Sequence, residues 1–230
     1  MVADLMNHPT FTAWRDAAQS AEDTVIHASL PFFALADSRP VPGQPNWVEI
    51  ACFKRTNNGE GILAYLSLVD AELDRQTFNR DGCGYRIVPF EAIDPRHFIR
   101  THERWLSIYA VYGFAARGAH LLTDATGRLQ ALSHIKHFHI APETEAHFHL
   151  NFGDQAIDWL ETLHRAAGIP DYADMIEELA GSSAAEIERH AQDALRRVAT
   201  IVGGEGQVTH CALYDTVEGQ WRFAAIADLP

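Results

Sequence analysis

The sequence has few cysteines and few lysines, and both shortages exclude classes of protein. Its three cysteines, Cys52, Cys83 and Cys211, are far apart and odd in number, which argues against a disulfide framework and against a CxxC metal knuckle. Only Lys54 and Lys136 are lysines, and the formal net charge is −13. Such a chain lacks the clustered cations that nucleic acid and anionic membranes attract. We therefore expect neither partner, and a reducing, cytoplasmic location.

Long apolar runs and catalytic motifs are missing as well. No apolar run approaches the about 18 residues that predict a transmembrane helix. The first residues lack the basic start and apolar stretch of a signal peptide, so we expect none. There is no G-x-S-x-G elbow, no HExxH and no EF-hand loop. The glycine-rich run at 203–207 follows a predicted helix and precedes a predicted strand, the reverse of a nucleotide-binding loop.

What the sequence does contain is typical of a globular protein. Apolar residues make up 47% of its 230 residues and charged residues 21%, which is enough to build a sizeable core. We find no internal repeat, no low-complexity segment and no long linker. We therefore expect a single globular α+β domain over residues 1–230, with its weakest joint near 168–183.

Hairpins dominate the predicted elements. The Asn-Gly pair at 58–59 separates two runs rich in β-formers, 47–56 and 61–69, and this pair favours a tight hairpin turn. Residues 119–134 and 208–228 are read as further hairpins, and 85–93 as a strand. Together they predict an α+β fold with a mixed, mostly antiparallel sheet built from hairpins and with helices packed on one side.

Six segments are predicted to be helical. Asp94-Pro95 is a typical helix start, and the stripe of Phe98, Trp105, Tyr109 and Tyr112 extends that helix to about residue 116. Ser183 and Glu186 form a capping box for a helix that we expect to end at 203–204. The other predicted helices cover 10–22, 70–80, 154–167 and 170–180.

The strongest chemical signal is the stretch from His134 to His149, SHIKHFHIAPETEAHFHL with its flanks, which holds five of the thirteen histidines. Residues two apart on a strand share a face, so His137 and His139 share one, as do His147 and His149. If the two runs fold as a symmetric hairpin about the turn at 141–146, all four imidazoles lie on one face at cross-strand spacing. A shift of one residue would separate the two pairs.

Imidazole is a common ligand of zinc, copper, iron and nickel. The four histidines are therefore candidate ligands of one transition metal ion, Zn, Fe or Cu. Glu143 in the turn would then be the catalytic base or a further ligand. Two simpler interpretations stay open: a polar outer face of a half-buried hairpin, and an interface patch that responds to pH.

Two functions from different classes follow. The first is a soluble, non-catalytic binding or adaptor protein with an unknown protein or small-molecule partner, and the lack of catalytic motifs favours it. The second is a histidine-ligated transition-metal enzyme, a hydrolase or an oxygenase, that uses the 137–149 hairpin. Whether the chain is an enzyme stays open, as does self-association into a homo-oligomer. Cofactors are accordingly none, or one transition metal ion.

Overall fold

A computed structural model describes residues 25–28, 32–37, 49–50, 52–55, 59–79, 84–90, 93, 95–144, 147–150, 154–169, 179 and 182–228. The helix predicted at 10–22, all of the helix predicted at 170–180 except Leu179, and Cys83 lie outside these residues. Thirteen strands and four α-helices are described, with bounds as follows. The strands are β1 Val25–Ala28, β2 Phe33–Asp37, β3 Glu49–Ile50, β4 Cys52–Arg55, β5 Gly59–Tyr65, β6 Tyr85–Pro89, β7 Trp105–Arg117, β8 His120–Thr123, β9 Ala131–His139, β10 His147–Leu150, β11 Ala199–Val202, β12 His210–Asp215 and β13 Gln220–Ala225. The helices are α1 Leu68–Asn79, α2 Arg96–Thr101, α3 Asp154–Ala166 and α4 Ala184–Arg196.

A large sheet is organised around β7, which pairs with four other strands. It runs parallel to β5 and antiparallel to β8, β9 and β12. The sheet continues from β5 to β2 and β3, and from β8 to β11. A separate two-stranded sheet consists of β1 and β10, which run parallel. The fold is therefore α+β with a mixed, mostly antiparallel sheet, as predicted.

Two of the three predicted hairpins are confirmed. The third, over 119–134, is not, because β8 and β9 each pair with β7 and only Thr123 and Leu129 form a bridge across the intervening turn. Strand β4 pairs antiparallel with β5 around the Asn-Gly turn, and β12 pairs antiparallel with β13. Residues 85–89 form β6, which pairs with β2. These elements were predictable because their turn residues and their β-forming runs are both local in sequence.

The long helix predicted from 95 to about 116 is wrong. Helix α2 ends at Thr101, and Glu103 and Arg104 both have positive φ, 53° and 70°, so the chain turns there and begins β7. Residues 106–111 of that strand are all buried. A strand buried on both faces shows no apolar–polar alternation, and its aromatic residues at 105, 109 and 112 imitate helical spacing.

Helix α4 begins as predicted but ends earlier. Its capping box is present: the Ser183 hydroxyl accepts from the Glu186 backbone N–H at 3.3 Å, and the Glu186 carboxylate accepts from the Ser183 N–H at 2.7 Å. The helix ends at Arg196, and residues 199–202, which we predicted to be helical, form β11 beside β8. β-branched Thr200, Ile201 and Val202 favour a strand there.

Replacing Ser183 with alanine is expected to lower the free energy of unfolding by about 1 kcal/mol, because the first turn of α4 loses a hydrogen-bond acceptor. Urea unfolding followed by circular dichroism measures this as a lower midpoint with an unchanged slope. The control is Ser183→Asp, which keeps an acceptor at the cap. An equal loss in both variants would show that the cap is not the cause.

A buried ion pair joins α1 to the loop between β8 and β9. Arg128 donates to both carboxylate oxygens of Asp74, at 3.3 and 3.2 Å, and its guanidinium lies 3.6 Å from the centre of the Phe78 ring. Asp74 is fully buried; it also accepts a 2.5 Å hydrogen bond from the Tyr65 hydroxyl. Burial, reinforced by Asp74, raises the pKa of Tyr65 well above its usual value, so Tyr65 remains a donor.

Among the described helices, none is both long and apolar enough to cross a membrane.

Candidate functional site

The two histidine runs belong to different strand pairs, so the predicted hairpin is wrong. Strand β9 pairs antiparallel with β7, which places His139 opposite Trp105 and His137 opposite Ser107. Strand β10 pairs parallel with β1, which places His147 beside Val25 and His149 beside His27. The connection between the runs contains a 3-10 turn at Pro142–Thr144. Pro142 opens this turn, and the chain proceeds to a different partner strand.

The structure therefore gives no pairing that unites all four predicted ligands. Glu143 is exposed in the 3-10 turn. Within the residues whose side chains are described, no three His, Cys, Asp or Glu side chains cluster closely enough to hold a metal ion. That search covers His137 and His139. The four-histidine set and its catalytic Glu143 stay a prediction.

Strand β9 is rich in imidazole groups, and its end lies beside an exposed aromatic residue. We call this region the β9 edge surface and define it as Trp105, His137 and His139 on one face of the sheet and His134 and Lys136 on the opposite face. Trp105 is 47% exposed, an unusual fraction for an indole. Its ring packs edge-on against His139, with ring centres 5.2 Å apart. The His137 ring hydrogen-bonds the Ser107 hydroxyl through Nδ1 at 2.9 Å, which fixes the orientation of this imidazole.

This surface carries positive charge on an acidic protein. The nine residues of β9, ALSHIKHFH, include Lys136 and three histidines and no carboxylate. Burial, and then the neighbouring Lys136 charge, lower the pKa of His134. The formal charge of β9 itself is therefore +1, from Lys136, whereas the net charge of the whole chain is −13.

Of the strands that the structure describes, only β7 pairs with β9, along its full length. A strand with one unpaired side presents a row of N–H and C=O groups that another extended chain can pair with. The exposed Trp105 lies at the start of the neighbouring strand β7, opposite His139 at the end of β9.

A second polar feature is a small cavity between α1, α3 and the ends of β7 and β12. The space open to the centre of a water molecule is about 10 Å³, close to the smallest that holds one water. Its lining residues are Leu66, Ser67, Asp70, Tyr112, Leu160, His164, Leu213 and Tyr214. The cavity bounded by these residues therefore has room for about one water molecule.

Asp70 is the unusual group in that cavity. It is 7% exposed, and its carboxylate makes no hydrogen bond with any residue that the structure describes. Burial, and then the charge of Asp74, raise the pKa of Asp70 to about 7. His164 is 4% exposed and bonds the Leu160 carbonyl through Nδ1 at 2.8 Å. Burial lowers its pKa despite that bond.

The sequence does not indicate that Asp70 and His164 line one cavity. Asp70 reads as an ordinary acidic residue in the first turn of a helix, and His164 as a neighbour of an apolar stripe. No local pattern distinguishes them, because α1 and α3 are brought together only by the fold. Cys211 lies near the same carboxyl, and burial followed by the Asp70 charge raises its thiol pKa, which makes it a poor nucleophile.

Comparisons of the chain with protein families, with curated proteins and with solved structures give no match.

Proposed function

We propose that this protein is a non-catalytic binding protein that takes an extended, acidic segment of a partner protein onto the edge of β9. The observation that carries the proposal is the exposed Trp105 packed against His139 on that strand. Tryptophan is among the residues that dominate binding energy at interfaces. Here it stands beside a backbone edge that can accept another strand.

In this proposal the backbone of β9 binds the partner segment by strand addition. An extended peptide that pairs with an exposed edge gains main-chain hydrogen bonds, and side-chain pockets on alternate positions give specificity. Strand β9 offers a paired length of nine residues in register with β7 from Trp105 to Phe114. The Ser107–His137 hydrogen bond keeps one imidazole in place along this length.

Charge accounts for the choice of an acidic segment. Lys136 and the histidines of β9 favour carboxylates, while the net charge of −13 repels most acidic surfaces at longer range. Complementary charge chiefly raises association rate and selects the partner. An extended acidic segment is therefore a better match than a folded acidic domain, because it approaches the strand without bringing a large charged surface.

The test uses a panel of synthetic nine-residue peptides with alternating β-forming residues, matched in composition except that one set carries glutamate and the other lysine. Fluorescence anisotropy of the labelled peptides measures affinity. We expect the parent protein to bind the acidic set more tightly than the basic set, and binding to weaken as salt rises. Methylation of alternate peptide nitrogens should abolish binding, because it removes the donors needed for strand pairing.

The Trp105→Ala variant should bind the acidic peptides at least about 30-fold more weakly, as for an interface residue worth 2 kcal/mol or more. Its matched control is Val217→Ala, which removes an exposed apolar side chain from the β12–β13 turn. Equal binding by parent and Trp105→Ala, or binding that is unaffected by peptide methylation, would contradict the proposal. So would the absence of binding to every peptide in the panel.

A reducing compartment is the location that we propose for this activity. Cys211 is a free thiol, and free thiols are typical of reducing compartments such as the cytoplasm.

A further inference from the structure

Two buried polar side chains line the cavity between α1 and α3. Ser67 and Asp70 are each 7% exposed, and the Asp70 carboxyl bonds no residue that the structure describes. The Ser67 hydroxyl accepts from the backbone N–H groups of Val69 and Asp70, at 3.2 and 3.4 Å. Its own hydrogen has no acceptor among the described residues. Buried polar groups are nearly always hydrogen-bonded, so both side chains require a partner that the cavity can hold.

The polar lining of the cavity comes from three separate elements. Helix α1 contributes Asp70, α3 contributes His164 and β7 contributes Tyr112. The register of β7 with β9 shifts between Val111 and Gly113, so Tyr112 is the extra residue of a β-bulge. A bulge changes the direction of a side chain relative to the regular alternation of the strand. The cavity is therefore formed by the way these elements pack together.

The size and the charge of the cavity select water as its occupant. The open space of about 10 Å³ is near the smallest that holds one water, and such a water needs two to four polar partners. A bound cation would need an ionised carboxylate. Burial raises the pKa of Asp70 to about 7, so Asp70 keeps its proton below that pH, and Asp74 is already paired with Arg128. Burial also lowers the pKa of His164, so its imidazole is neutral and attracts no anion.

We infer that one water molecule binds in this cavity as a structural ligand, where it accepts from the Ser67 hydroxyl and hydrogen-bonds the Asp70 carboxyl. A bridging water is nearly as favourable in enthalpy as a direct hydrogen bond, so it satisfies both buried groups while α1 and α3 stay packed. Water also suits both forms of Asp70, because it accepts from the acid and donates to the carboxylate. The inference is independent of the peptide-binding function, which uses β9 and β7.

The experiment counts long-lived water molecules in the full chain by oxygen-17 magnetic relaxation dispersion. This method detects waters that stay bound for longer than the protein takes to tumble, and proton exchange does not affect it. We expect the count to fall by one in Asp70→Leu, because the apolar side chain removes one hydrogen-bonding partner of the water. The matched control is Asp158→Leu at an exposed position of α3, which should keep the count of the parent. Asp70→Asn should keep it too, because the amide still bonds water.

Two measurements on the parent protect the test against misfolded variants. A high-resolution crystal structure should show one water within hydrogen-bond distance of the Asp70 carboxyl and the Ser67 Oγ. The melting temperature at pH 8 should be the same in ammonium, potassium and tetramethylammonium chloride, since a bound cation would stabilise the folded state.

The inference is overturned if the crystal structure shows no water at that place. It is also overturned if Asp70→Leu keeps the full count, or if Asp158→Leu or Asp70→Asn loses a water. Stabilisation of the parent, but not of Asp70→Asn, by ammonium or potassium would show that the cavity holds a cation and would overturn it as well.

Discussion

The Asp70→Asn variant is expected to be more stable than the parent at pH 8, and equally stable at pH 4. Burial raises the pKa of Asp70 from 3.8 to about 7, so the folded state holds this proton more tightly than the unfolded state. A raised carboxyl pKa means that stability is greatest below about pH 4 and is lost as pH rises towards 7. This pKa shift corresponds to a loss of at most about 4 kcal/mol in the free energy of unfolding.

Asparagine removes this cost because it never ionises. It has nearly the same shape, and the backbone N–H at position 70 keeps its bond to the Ser67 hydroxyl. Denaturant unfolding of both proteins from pH 4 to pH 8 measures the difference directly. We expect the gap to open between pH 4 and pH 7 and to stay constant above that range.

The control is Asp158→Asn, an exposed aspartate on a helix, which should show no gap at any pH. A parent that matches Asp70→Asn throughout the range would mean that Asp70 ionises freely in the folded protein. The cavity would then have to be open to bulk water.

Removing the Arg128 side chain is expected to change the free energy of unfolding by a comparable amount in the opposite direction. Arg128→Ala is expected to lower the free energy of unfolding by about 3–5 kcal/mol, because it leaves the fully buried Asp74 without its cation. The Tyr65 and Thr77 hydroxyls still donate to Asp74, but neither carries charge. The measurement is the unfolding midpoint in urea at pH 7.

Its control is Arg196→Ala on α4. Arg196 pairs with Asp193, but its side chain is 70% exposed, and an exposed ion pair contributes about 1 kcal/mol or less. A double-mutant cycle of Arg128→Ala with Asp74→Ala isolates the coupling. An Arg128→Ala loss no greater than that of Arg196→Ala would show that solvent replaces the guanidinium at Asp74.

The parts of the fold that could be predicted from the sequence are those with local signals. The Asn-Gly turn between β4 and β5 and the capping box at Ser183 each depend on residues within a few positions of each other. The α+β class followed from them. The early end of α4 was missed because the apolar spacing continues from Leu195 through Val198 to Ile201, so the helical pattern does not show where the helix stops.

The candidate sites were predictable only in part, because they depend on long-range pairing. The sequence indicated that the histidine runs are chemically unusual, and it correctly predicted that residues 131–134 belong to a strand. It could not show that β9 would pair with β7 or β10 with β1, since strand pairing is decided by packing across the whole sheet. Trp105 was assigned to a helical core stripe, and its exposure became visible only once β7 was a strand.

The burial of strand β7 affects how the chain folds while it is being synthesised. Its residues 106–111 are buried on both faces, yet Ala115 pairs with Cys211, which is synthesised much later. A nascent chain thus carries an apolar strand whose last neighbour does not yet exist, and exposed apolar strands aggregate. Strand β5 precedes it and β9 follows soon after, so these two can cover most of its length first. The order of strands along the chain thereby limits the time for which β7 is exposed during synthesis.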